Sequence, residues 1–191
     1  MVNLVMMFIA SMSAGHGDFS KDDIGRNKAG FSKNQHGKLV LVKSEPWPDQ
    51  VAFNEGKAVL TDFLTANGNT MTQVDGRRIT SKGRVPLKGH AGIGNYVAGE
   101  IHYTLVIENN GSELTYWFTD LTYQPYRNDR YGRRIKATVS PIPLERRLSK
   151  INEQIWEKQK SHAHEALDEL GGQLLQHLQW AGKPSVFHTG T

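Results

Sequence analysis

An α+β fold, an antiparallel β-sheet with two helices packed on one face, is predicted from three features of the sequence. Between Tyr96 and Glu108, Ile101, Tyr103, Leu105 and Ile107 alternate with His102, Thr104 and Val106, the two-residue period of a strand. Asn109-Asn110-Gly111 supplies turn chemistry, and Leu114, Tyr116 and Phe118 continue on the return strand with Trp117 on its opposite face. Two segments carry helical spacing instead. Val59, Leu60, Phe63 and Leu64 share one side of 53–65, and Leu148, Ile151, Ile155, His162, Leu167, Leu170, Leu174 and Leu178 recur at three- and four-residue steps. The order strand, helix, several strands, helix implies an α+β layer.

The remaining elements follow in chain order. Leu4 to Ala10 is a short apolar run followed by Ser11, Ser13, Ala14 and Gly15, which reads as a secretory signal over 1–15, although no Lys or Arg precedes it. The run is too short to span a bilayer as a helix, so no transmembrane segment is expected. Residues 16–37 are polar and aperiodic and read as a flexible linker. A single domain is expected over 38–182, with 183–191 as a tail. It opens with the β-branched run Lys38-Leu39-Val40-Leu41-Val42-Lys43, which Pro46 and Pro48 end. Asn67-Gly68 stops the first helix, and Asp75-Gly76 joins a strand at 71–74 to one at 78–87. The glycines of 88–95 predict a loop, and Gly171-Gly172 a kink or break in the second helix.

The 191 residues suit one domain, with 38% hydrophobic and 22% charged residues, enough for one core of moderate size. A net charge of +4 and a sequence pI near 9.3 favour anionic partners: nucleic acid, acidic glycans or lipid headgroups. The absence of cysteine removes disulfides, thiolate nucleophiles, cysteine zinc sites and a lipoprotein anchor.

Four constellations could carry chemistry. Gly89-His90-Ala91-Gly92-Ile93-Gly94 lacks the helix that a phosphate cradle needs, so it reads as a hairpin loop. On the second helix His162 and Glu165, and His164 and Asp168, have ligand spacing, yet the two histidines point apart. A metal-assisted hydrolase built on His162, His164 and Glu165 is the rival enzyme reading, and no metal or other cofactor is expected. A His102–Asp120 contact across the hairpin is a further catalytic candidate, read as surface decoration. The fourth is a loop where Tyr126, Arg127, Arg130, Tyr131, Arg133 and Arg134 interleave aromatic rings with guanidinium groups, a pattern that stacks on rings and grips anions. Trp117 and Tyr123, assigned to the sheet face turned away from Tyr103, Tyr116 and Phe118, complete this candidate ligand site.

The middle of the chain also carries a resemblance. The run Lys38 to Val42, then Ile79-Thr80-Ser81-Lys82-Gly83, then the hairpin from Gly99-Glu100-Ile101-His102-Tyr103 to Leu114-Thr115-Tyr116-Trp117-Phe118-Thr119-Asp120, is similar to an uncharacterised exported domain family of Bacteroidetes with a TBP-like fold. The similarity covers about 38–180. It implies the fold and an exported location, periplasmic or secreted, and supplies no catalytic residues. The TATA-binding protein uses two fused copies of the unit to grip DNA, and one copy is seen here.

The residues therefore predict a non-enzymatic binding module of the cell envelope that meets an envelope protein, a glycan or another anionic ligand. The alternatives are a homodimer that covers the second sheet face, a metal-assisted hydrolase, and nucleic-acid or anion binding through the arginine loop.

Overall fold

A computed structural model of the chain describes residues 30–49, 51–91 and 94–181. The expected signal, most of the linker and the tail lie outside these residues. In chain order the elements are β1 (Ser32–Lys33), β2 (Leu39–Pro46), α1 (Phe53–Ala66), β3 (Thr70–Val74), β4 (Arg78–Ala91), β5 (Gly94–Asn109), β6 (Glu113–Asn128), β7 (Arg134–Lys136), β8 (Ile142–Pro143) and α2 (Lys150–Ala181). The strands form one antiparallel sheet in the order β1-β2-β6-β5-β4-β3, with β7 and β8 both paired to β6. The α+β class holds, and the sheet is larger than the sequence predicted.

Local chemistry explains the turns. Gly68, at φ +73°, follows the last turn of α1, where the Asn67 amide reaches the Phe63 carbonyl and the Asn69 amide that of Leu64. Asp75 closes the β3–β4 turn by accepting the Arg78 amide at 3.1 Å. Asn109 does the same for the β5–β6 turn, accepting the Gly111 amide at 2.6 Å.

The core lies between the helices and the inward sheet face. Leu39, Leu41, Ile101, Tyr103, Leu105, Ile107, Tyr116 and Phe118 meet Leu60, Phe63 and Leu64 of α1 and Trp156, Ala163, Leu167, Leu174 and Leu178 of α2. Burying side chains of this size contributes about 1.5–3 kcal/mol each, which outweighs the modest helix propensity of the segments.

Four expectations are corrected. The fold begins before Lys38: Phe31 is fully buried, and β1 pairs with Leu39 and Val40, so the last part of the expected linker belongs to the sheet. The expected loop at 88–95 is instead the end of a long hairpin, since β4 runs to Ala91 and Ala91 pairs with Gly94. The second helix buries Trp156 and leaves Ile155 63% exposed, because its core stripe is set by Ala163, Leu167, Leu170 and Leu174. It also continues unbroken through Gly171-Gly172. Gly171 is there to admit Tyr116: a Cβ at this position would lie 2.5 Å from the Tyr116 hydroxyl, whereas one at Gly172 would meet nothing within 4 Å.

Opposite effects on stability are therefore expected at adjacent glycines. Gly172→Ala should stabilise by up to about 1 kcal/mol through helix propensity, while Gly171→Ala should destabilise by about 1–3 kcal/mol through overpacking. Urea unfolding of both variants checks this, and equal shifts of the same sign would refute the packing assignment.

Candidate functional site

The predicted basic loop is the β6–β7 hairpin. Arg127 pairs with Ile135 and Asn128 with Arg134, and the turn is organised by Asp129, whose carboxylate accepts the amides of Tyr131 and Arg133 at 2.8 and 2.9 Å and the Arg133 Nε–H at 2.9 Å. Desolvation opposes ionisation of Asp129, but these hydrogen bonds outweigh it and hold the carboxyl below its ordinary range. At the tip Tyr131 is 65% exposed, with the guanidinium carbons of Arg130 and Arg133 at 4.7 and 5.2 Å from its ring centroid. Arg134 donates to the Val97 carbonyl at 2.9 Å, which fastens the hairpin to β5. Thus Arg127, Arg130, Tyr131, Arg133 and Arg134 do come together, and Tyr126 anchors their base.

That anchor is a buried acid that the sequence reading passed over. Glu100 lies on the outward sheet face and is 4% exposed. It accepts hydrogen bonds from His102 Nε2–H at 2.6 Å, from the Tyr126 hydroxyl at 2.7 Å and from Lys136 Nζ at 2.5 Å. Burial pushes the carboxyl up, but the bonds from Lys136, His102 and Tyr126 prevail and bring it down to about 2. The same contact raises Tyr126 above the ordinary phenol range, since its hydroxyl donates to a fixed anion. Gln124, opposite Glu100 in the register, donates to the Ala137 carbonyl at 3.0 Å and holds the chain after β7. The available signal was Glu100 and His102 at a two-residue interval on a strand, which places both on one face. Lys136 lies too far along the chain for spacing to reveal.

The other two predicted ligand residues do not join the hairpin. Trp117 is on the outward face, but about nine strand residues from Tyr126, roughly 30 Å at 3.3 Å per residue. There it is flanked across the strands by Val42 and Val106, with Arg78 5.6 Å from its ring centroid. Tyr123 is on the core face, contrary to expectation: it is 9% exposed, packs against Trp156 at 6.0 Å and donates to the Ala98 carbonyl at 3.1 Å. The cause is a bulge. His102 pairs with Thr122 but Thr104 pairs with Thr119, so β6 carries an extra residue here, and Asp120 adopts φ +52°. Beyond it the inward set changes from Leu114, Tyr116 and Phe118 to Leu121 and Tyr123.

The enzyme candidates are also dispersed. Asp120 pairs with Lys38 at 2.5 Å, and His102 turns to Glu100, so the His102–Asp120 contact is not made. His164 packs edge-on to Phe31 at 5.2 Å and crowds Gly30. Burial lowers its ring below the ordinary imidazole range, and Asp168 partly opposes this. Asp168 itself pairs with Lys43. Among the described residues no group of three His, Asp or Glu side chains is placed to hold a metal ion. The glycine-rich candidate falls within 89–96, whose side chains lie outside the described residues.

An antiparallel sheet with two helices packed on one face defines the class, an α+β domain of TBP-like fold. Two solved structures share it. One is a DUF4468 family protein from Bacteroides ovatus, 12% identical over 87% of this chain and 99% of its own, with a TM-score of 0.51. The other is a TBP-like protein from Parabacteroides distasonis, 13% identical over 76% of this chain and 95% of its own, also at 0.51. At this identity the likeness shows the fold alone. No protein-family model matches the sequence, and no curated protein matches it. Among the described residues no helix is long and apolar enough to cross a membrane.

Glu100 titrates lower in the folded chain than in the unfolded one, so its stabilising contribution is complete above about pH 4.5 and lost as the pH falls toward about 2. After discounting for solvent around Lys136, which is 48% exposed, this is on the order of 2 kcal/mol. Denaturant unfolding at pH 2–5 of wild type and Glu100→Gln should show the step in the wild type and its loss in the variant.

Proposed function

We propose that this chain is a non-enzymatic binding module of the bacterial cell envelope, whose outward sheet face and arginine hairpin engage an anionic partner. The observation that carries it is the hairpin itself: Arg130 and Arg133 flank an exposed Tyr131, and the whole unit is fixed to the sheet by Glu100 and Arg134. A rigidly held tip loses little conformational entropy on binding, and aromatic and arginine side chains are the usual anchors of such contacts. The dispersal of His102, Asp120, His164 and Asp168 into separate structural contacts supports binding over catalysis, because general acid–base or metal chemistry needs convergent groups. Export rests on the apolar run at 4–10 and the small residues after it.

The test compares wild type with the Arg130→Ala/Arg133→Ala/Arg134→Ala variant. Light scattering measures the oligomeric state. Partners captured from an envelope extract are then purified and re-bound to both proteins. A purified partner whose affinity falls tenfold or more in the variant is the expected result. A stable dimer indifferent to the arginines points instead to a homodimer covering the sheet face. Binding confined to random DNA, and fading with modest salt, returns the reading to nucleic acid. Mass spectrometry of the native protein from fractionated cells should find the segment 1–15 removed, and an intact N-terminus in a cytoplasmic fraction would end the export proposal.

A further inference from the structure

Beside the hairpin, the outward face has an open hollow of about 610 Å³ that spans four strands at the β6 bulge. Lys82 and Arg84 of β4, His102 and Thr104 of β5 and Asp120 of β6 line it. The register makes these residues a grid. Lys82 lies opposite Thr104, and Arg84 opposite His102. Cross-strand neighbours are about 5 Å apart and same-face residues on one strand about 7 Å apart, so the four side chains are close enough for one small oxyanion to reach several of them at once.

The charges in and around the hollow are unevenly matched. Other cations of this face are committed to acids: Lys38 to Asp120 at 2.5 Å, Lys136 to Glu100 at 2.5 Å and, further along β4, Arg78 to Glu108 at 3.2 Å. Lys82 and Arg84 are exposed, and among the described residues neither forms an ion pair. Asp120, the acid on the rim, is already neutralised by Lys38. His102 is held from behind: ionised Glu100 can only accept, so Nε2 carries the proton toward it. No aromatic face is presented here. Tyr103, which also borders the hollow, is 3% exposed and gives its hydroxyl to Asn69 at 3.1 Å. A base or a pyranose ring would find no stacking platform, while a compact dianion would find two unpaired cations and a threonine hydroxyl.

We propose that this hollow binds a phosphate group, with Arg84 and Lys82 supplying charge and Thr104 a hydroxyl donor, while His102, held by Glu100, borders the site. The inference deepens the proposed binding role by naming a ligand chemistry, and its test does not involve the hairpin arginines.

The experiment is a low-salt titration of the full chain with inorganic phosphate, followed by amide chemical shifts. Saturable shifts centred on Lys82, Arg84, His102 and Thr104 are expected. Arg84→Gln and Lys82→Gln should each weaken binding about tenfold or more, the loss of one charge-assisted contact, while Lys158→Gln on α2 makes the same change of charge with no effect. Because Lys82 and Arg84 are exposed, the variants keep the fold, and thermal melts verify it. Glycerol 3-phosphate and vesicles containing phosphatidic acid then compete with the bound ion. Displacement by the first supports a free ester as the source, and displacement only by the second supports a lipid headgroup. Non-saturating shifts, an Arg84→Gln affinity equal to wild type, or no displacement by either competitor would overturn the proposal.

Discussion

One extra residue in β6, at Asp120, determines which side chains the second half of the sheet shows to the helices and which it shows to solvent. Ahead of the bulge Tyr116 and Phe118 point inward and Trp117 outward. After it Leu121 and Tyr123 point inward, and Gln124 and Tyr126 outward. Without the insertion Tyr123 would leave Trp156 without its ring partner, and Tyr126 would turn away from Glu100. The packing of the start of α2 and the attachment of the arginine hairpin therefore depend on the same local irregularity. A bulge also strengthens twist, and it is at this point that the outward face forms its hollow.

Much of the fold was legible because it is written in short-range patterns. The alternation of Ile101, Tyr103, Leu105 and Ile107, the turn at Asn109-Asn110-Gly111 and the helical spacing of Leu60, Phe63 and Leu64 each reflect a period fixed by backbone geometry. What could not be read depends on long-range placement. Phe31 sits in a polar stretch, and only the arrival of His164 more than a hundred residues later reveals it as core. Gly171 reads as a helix breaker until Tyr116 is seen to need its space. Alternation carried past Phe118 assigned Tyr123 to the wrong face, because Asp120 does not announce a bulge as a glycine would.

The site divides in the same way. The arginine–tyrosine cluster is contiguous in the chain and was visible as composition. The acid that fixes it and the cation that pairs with that acid come from two separate strands, and only the register brings Glu100 and Lys136 together. The two solved structures share this architecture at 12–13% identity, which leaves ample room for outward-face chemistry to differ between proteins of one fold.

The attachment of β1 has a mechanical consequence. Phe31 and two backbone pairings hold this short strand, whereas β2 is joined to β6 through six. Tension drawn through the chain ahead of Gly30 is met first by the weaker joint. β1 can peel away, with Phe31 leaving its place beside His164, before load reaches the principal sheet. The domain thus has a compliant first link in series with a stiff body, an arrangement in which the short strand takes up load first and the principal sheet is spared.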